Sequence, residues 1–98
     1  MKSSFNDIIK SETPVLIDFY ADWCGPCKSL APILKQVKKE LGDKVKIVKI
    51  DVDKNQPLAA KYQVRGVPTM IIFKNGEQMW RQSGVLPKEE IKNKITSI

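Results

Sequence analysis

The chain has 98 residues, 42% of them hydrophobic and 29% charged, with 17 Lys/Arg against 11 Asp/Glu for a net charge of +6. That length suits one small domain, residues 1–98, and excludes two, while a mean hydropathy of -0.29 excludes an intrinsically disordered chain. No apolar run approaches the roughly 20 residues of a membrane helix, and the lysines are scattered rather than interleaved with aromatics on one face, so neither a membrane nor a nucleic acid is an expected partner. The opening residues, Met1 to Asp7, do not read as a secretory signal, which points to the cytoplasm.

Phe5, Ile8 and Ile9 recur at the spacing of a short amphipathic helix. Pro14 then precedes Val15-Leu16-Ile17-Asp18-Phe19-Tyr20, a nearly continuous apolar run of the kind that forms a central strand covered on both faces. Leu30, Leu34, Val37 and Leu41 step by four, three and four along a helix that Gly42 ends and that Pro32 should kink. Val45 to Ile50 is a second strand, and Pro57 to Tyr62 a short helix with the proline in its first turn. Thr69 to Phe73 is a third strand, Asn75-Gly76 a hairpin turn, and Glu77 to Ser83 the returning strand, with Trp80 packing on the hairpin. A last helix after Pro87 carries Ile91, Ile95 and Ile98 on one side. Strands separated by helices pair in parallel and the hairpin adds an antiparallel edge, giving a three-layer α/β/α sandwich around a mixed sheet.

Cysteine usage carries the chemistry. The two cysteines are spaced Cys24-Gly25-Pro26-Cys27, and with no His in the chain one copy cannot build a typical Cys/His zinc site. A redox pair is the remaining reading, set against two unrelated buried cysteines or half of an intermolecular metal site. Cys24 follows a strand and opens a helix, where unpaired amides and the helix dipole favour a thiolate. The two-residue spacing brings the second sulfur within reach of the first, so Cys24 can open a partner's disulfide and Cys27 can displace the mixed disulfide.

Ala21-Asp22-Trp23-Cys24-Gly25-Pro26-Cys27-Lys28 resembles the thioredoxin signature, and the likeness extends through Asp18-Phe19, Ala31-Pro32, Arg65-Gly66-Val67-Pro68-Thr69 and Phe73-Lys74-Asn75-Gly76 over nearly the whole chain. The resemblance implies the thioredoxin fold and a protein-disulfide reductase that holds no cofactor and no metal. It also implies recharging by a flavin-containing, NADPH-dependent thioredoxin reductase. Asp18 lies in the apolar strand, where an unpaired carboxylate is costly; a carboxyl titrating near neutrality could relay protons to Cys27, the alternative being a partly exposed Asp at the strand end. Lys49 matches a lysine that thioredoxins place near that Asp, or it faces solvent. The Gly66-Val67-Pro68 segment resembles the family's cis-proline loop, whose backbone at Val67 can pair with an extended substrate.

Trp23, Gly25, Pro26, Gly84 and Val85 complete the expected docking rim, with a core position as the alternative for Trp23. Three departures from the family pattern matter for structure. Most thioredoxins place a strand before the first helix, and this chain has no room for one, so a sheet of about four strands with Val45–Ile50 at its edge is expected. An unpaired edge invites self-association unless charges such as Lys44, Lys46 and Asp51 protect it, and a monomer is expected. Ser83 replaces an often apolar rim position, and Pro87 stands where a capping Ser or Thr is common. An oxidase or isomerase of an oxidising compartment, and a binding module with a thiol latch, are the competing readings.

Overall fold

The computed structural model describes residues 4–98; residues 1–3, and with them the first residues of the Met1–Asp7 reading, lie outside the described part. The elements run α1 (Phe5–Ile9), β1 (Val15–Tyr20), α2 (Gly25–Leu41), a 3₁₀ turn (Gly42–Lys44), β2 (Lys46–Asp51), α3 (Gln56–Lys61), β3 (Thr69–Lys74), β4 (Glu77–Ser83) and α4 (Lys88–Thr96). The expected order holds, with boundaries shifted by about one residue.

The sheet order is β2-β1-β3-β4, with β1 parallel to β2 and β3 antiparallel to both β1 and β4. β1 and β3 are the interior strands, which explains their near-continuous burial and their lack of apolar–polar alternation. The strand expected at the edge, Val45–Ile50, is observed as Lys46–Asp51; it lies at the edge, and only Asp51 in it is buried.

Each sheet face carries its own core, so the layers follow from the side-chain alternation of the strands. Leu16, Met70 and Ile72 point to the face covered by α2 and α4, where they meet Leu30, Leu34 and Ile91. Val15, Ile17, Phe19, Ile71 and Phe73 point to the opposite face, where Phe5 of α1 and Tyr62 beyond α3 stack edge-on against Phe73. Trp80, expected to pack on the hairpin, is half-buried against the α2/α4 core.

Ends are closed by specific groups. Ser4 caps α1 through the amide of Asp7, and Lys38 spans from α2 to the carbonyls of Gly42 (2.9 Å) and Val45 (2.8 Å), closing the turn into β2. α2 runs unbroken through Pro32. α4 begins at Pro87 with no side-chain cap, as its sequence suggests; its first turn is tied to α2 instead, where Glu40 pairs with Lys88 and Lys92 at 2.7 Å each.

Candidate active site

β1 ends in the middle of the sheet, and the chain turns through Ala21-Asp22-Trp23 into α2, so the strand end and the helix start meet at one point. Cys24 stands at the N-cap of α2 in an extended conformation, and its Sγ accepts the amide N–H of Cys27 at 3.1 Å. A sulfur at this position lies among the unpaired amides of the first helical turn, which stabilise a thiolate. Cys24 and Cys27 are joined in a disulfide with their Cα atoms 5.3 Å apart, and both are nearly fully buried, so a partner can approach only along a narrow face.

Asp18 is fully buried in β1, and neither carboxylate oxygen has a hydrogen-bond partner among the described residues. Burial pushes its pKa up to about 6, while the charge of Lys49 acts in the opposite direction. The structure therefore rejects the exposed strand-end alternative for Asp18. Lys49 combines both of its sequence readings. It is exposed, yet it sits opposite Asp18 in the β1–β2 register, with its ammonium 4.6 Å from the centre of the Tyr20 ring. Lys49, Tyr20, Asp22 and Cys27 all line a cavity of about 150 Å³ beside the disulfide.

The other side of the disulfide is closed by the loop before β3. The Val67–Pro68 bond is cis, as the resemblance implies, and Sγ of Cys24 lies 3.6 Å from the Val67 carbonyl oxygen. Thr69 donates its hydroxyl to the Gly66 carbonyl at 2.7 Å and sits 3.2 Å from the Ser83 hydroxyl, which accounts for a polar residue at position 83. Gly84 joins the site through the loop rather than the sulfurs: its amide donates to the Pro68 carbonyl at 2.9 Å from a backbone at φ +94°, which favours glycine. Trp23 is 70% exposed and Val85 39%, so Trp23 is a surface residue and its core alternative falls. Gly25 and Pro26 are exposed on the first turn of α2. A shallow apolar depression of about 90 Å³ separates Trp23 from Gly66 and Val67.

Sequence reasoning missed what fixes Trp23. Its indole N–H donates to Asp53 at 2.8 Å, and the Asp53 amide donates in turn to the buried Asp51 carboxylate at 2.9 Å. The Asp51-Val52-Asp53 pattern after a strand is an Asx-turn signal, but nothing in the sequence ties it to a residue thirty positions earlier. Among the described residues no cluster of three or more potential metal ligands occurs, and no helix is long and apolar enough to cross a membrane.

Residues 1–97 match the protein-family model described as Thioredoxin. The chain belongs to the thioredoxin family. It is similar to thioredoxin from Bacillus subtilis (51% identity over 85 residues, 87% of this chain and 82% of that protein). It is also 50% identical over 96 residues to rice thioredoxin Y, chloroplastic, where the match covers 97% of this chain but spans only 57% of the rice protein. Among solved structures, a variant thioredoxin from Halobacterium salinarum NRC-1 superposes with a TM-score of 0.87 at 40% identity, covering 99% of this chain and 84% of that one. Oxidised mitochondrial thioredoxin 3 from Saccharomyces cerevisiae gives 0.86 at 33% identity, covering 96% and 87%. The chain is thus a thioredoxin-type oxidoreductase that acts on disulfides through the pair Cys24 and Cys27.

Proposed function

We propose that residues 1–98 work as a single, monomeric thioredoxin domain in which Cys24 is the nucleophile and Cys27 the resolving thiol. In the reduced protein the Cys24 thiolate attacks one sulfur of a partner's disulfide, forming a mixed disulfide and releasing the partner's other sulfur as a thiol. Cys27 then attacks Sγ of Cys24, which closes the Cys24–Cys27 disulfide and frees the partner's second thiol. Two electrons pass to the partner, and a flavin-containing, NADPH-dependent thioredoxin reductase returns them to the pair.

Asp18 takes the proton of Cys27 as that thiol attacks, relayed by water from the cavity that Cys27 lines, and returns the proton when the pair is reduced again. Lys49 keeps the Asp18 carboxyl within its working range by opposing the effect of burial. Trp23, Gly25, Pro26, Gly84 and Val85 form the rim against which the partner seats. Gly66, Val67 and Pro68 offer backbone to an extended partner segment, a mode that reads shape more than sequence. The observation that carries this reading is the redox pair at the N-terminus of α2, reached from a strand that holds a buried carboxyl with no hydrogen-bond partner among the described residues. A Gly-Pro pair between the cysteines resembles reductants, so the proposed compartment is the reducing cytoplasm.

The test is capture. Cys27→Ser incubated with an oxidised protein such as insulin should accumulate as a mixed disulfide through Cys24, visible on a non-reducing gel and lost on adding dithiothreitol. Cys24→Ser should trap nothing. Capture by both variants, or by neither, overturns the assignment. The direction of electron flow is read separately from the reduction potential against thiol–disulfide buffers. A value near the ~-270 mV that general tabulations give for thioredoxin itself supports a reductant, whereas about -180 to -120 mV overturns it.

A further inference from the structure

The sheet's two edges differ. β4 carries both Glu77 and Arg81, and the surface hollow beside it is lined by Glu90 as well as Lys94, so neither sign of charge prevails there. β2 is different. Beside it, between its side chains and α2, runs a cavity of about 220 Å³ lined by Ala31, Leu34, Ile47, Lys35, Lys38 and Lys49, with no carboxylate among them. Its floor is apolar and its rim is cationic.

Among the described residues, no strand pairs with the outer side of that edge. Lys46 donates its amide to Pro14 and Val52 donates to Tyr20, at 2.9 Å each. In a parallel ladder alternate residues face the neighbouring strand, so the peptide groups of Ile47 and Lys49 turn outward. The edge closes at its far end, where Asn55 donates its side-chain amide to the Asp51 carbonyl at 2.9 Å. Ala31 and Lys49 line both this groove and the cavity that Cys27 lines, so the two hollows adjoin on one side of the redox pair.

We propose that the β2 edge and its lysine-rimmed groove bind an acidic, extended segment of the disulfide-bearing substrate protein, added as a further strand beside β2. The inference rests on the reductase reading above. Strand addition puts alternate side chains on one face, so the segment would present acid, apolar and acid at every second position. The apolar side chain covers Leu34 and Ile47, and the carboxylates meet Lys35 and Lys49. A second copy of this chain fits less well, because each copy carries +6 and would bring the same lysines together.

The test uses two synthetic peptides that share one disulfide loop. Each is joined by about six residues, the roughly 20 Å span of β2, to Glu-Thr-Val-Thr-Glu in one peptide or Lys-Thr-Val-Thr-Lys in the other. At low salt kcat/KM should favour the acidic peptide by roughly three- to tenfold, and the preference should shrink toward one in about 0.5 M salt. Lys35→Glu should abolish or reverse it. In the oxidised protein the amides of Ile47 and Lys49 should exchange quickly alone and slowly with the acidic peptide. Equal kcat/KM for the two peptides, or no added protection at these amides, overturns the proposal. Protection that rises with protein concentration without peptide overturns it in favour of a second copy at the edge. If neither peptide is reduced, the reductase reading itself has failed, and the docking proposal falls with it.

Discussion

Replacing Asp18 by Asn should make the protein more stable at neutral pH, and the gain should vanish in acid. The carboxyl is fully buried, neither oxygen has a hydrogen-bond partner among the described residues, and its pKa rises from 3.8 to about 6 because burial disfavours the charged form. Between those two values the folded state holds a proton that the unfolded chain has already released, so stability falls as pH rises through this window. Below about pH 3 both states are protonated and the penalty is absent; above about pH 7 it is complete. A displacement of about two units at ~1.4 kcal/mol per unit puts the full penalty at about 3 kcal/mol. An amide at this position does not ionise. Whatever its own desolvation costs is independent of pH and drops out when the two proteins are compared across the range. The assay is denaturant unfolding of the oxidised wild type and Asp18→Asn at intervals from about pH 2.5 to about pH 8. The stability difference should shift by about 3 kcal/mol in favour of Asn, with its midpoint between the two pKa values. A difference that does not change with pH, or one that moves toward the wild type as pH rises, refutes the argument that this carboxyl is held against its solvation.

Asp53→Asn should loosen Trp23 without unfolding the chain, since it weakens the charge-assisted bond to the exposed indole. Tryptophan fluorescence anisotropy should fall, and kcat/KM for a protein disulfide should drop by roughly two- to fivefold if this bond holds the docking ring in place at a cost of about 0.5–1 kcal/mol. Unchanged anisotropy would show that the ring is held by other contacts. Leu30→Ala removes a fully buried side chain from the α2 face that packs on the sheet, and should lower unfolding stability by about 2–5 kcal/mol in a denaturant melt. A loss below about 1 kcal/mol would mean that α2 is not anchored by this core.

The strands and the redox turn were legible because each is encoded by neighbours in sequence. An interior strand needs an apolar run, and Val15 to Phe19 supplies one; a disulfide across one helical turn needs two intervening residues, and Gly25-Pro26 supplies them. What stayed hidden is made of contacts between distant segments. Trp23 finds Asp53, and Arg81 of β4 reaches the carbonyls of Tyr62 and Gln63 just beyond α3, where Gln63 takes a positive φ of 53°. No local pattern announces these pairs, because a polar tip on a long side chain can serve any acceptor within its reach. Lys49 shows the same limit from another side. Its place in an edge strand fits a solvated lysine, and its register opposite Asp18 fits an electrostatic partner; both descriptions hold because an exposed ammonium still acts on a buried carboxyl across one strand.

Asp18 joins these threads. Apolar periodicity alone would fill position 18 with another aliphatic residue, for its neighbours Ile17 and Phe19 are fully buried and its strand is interior. A carboxyl there breaks the local rule, and no partner among the described residues compensates for it. Structural ion pairs also perturb pKa values, but they do so through a bonded partner, and among the described residues none bonds the Asp18 oxygens. The carboxyl stands instead in the strand that runs directly into the redox turn, with the opposing charge of Lys49 one strand away. A cost of about 3 kcal/mol is large in a domain whose whole stability is of the order of 5–15 kcal/mol, and the proton transfer we propose for Asp18 at the cysteine pair calls for a group titrating near pH 6.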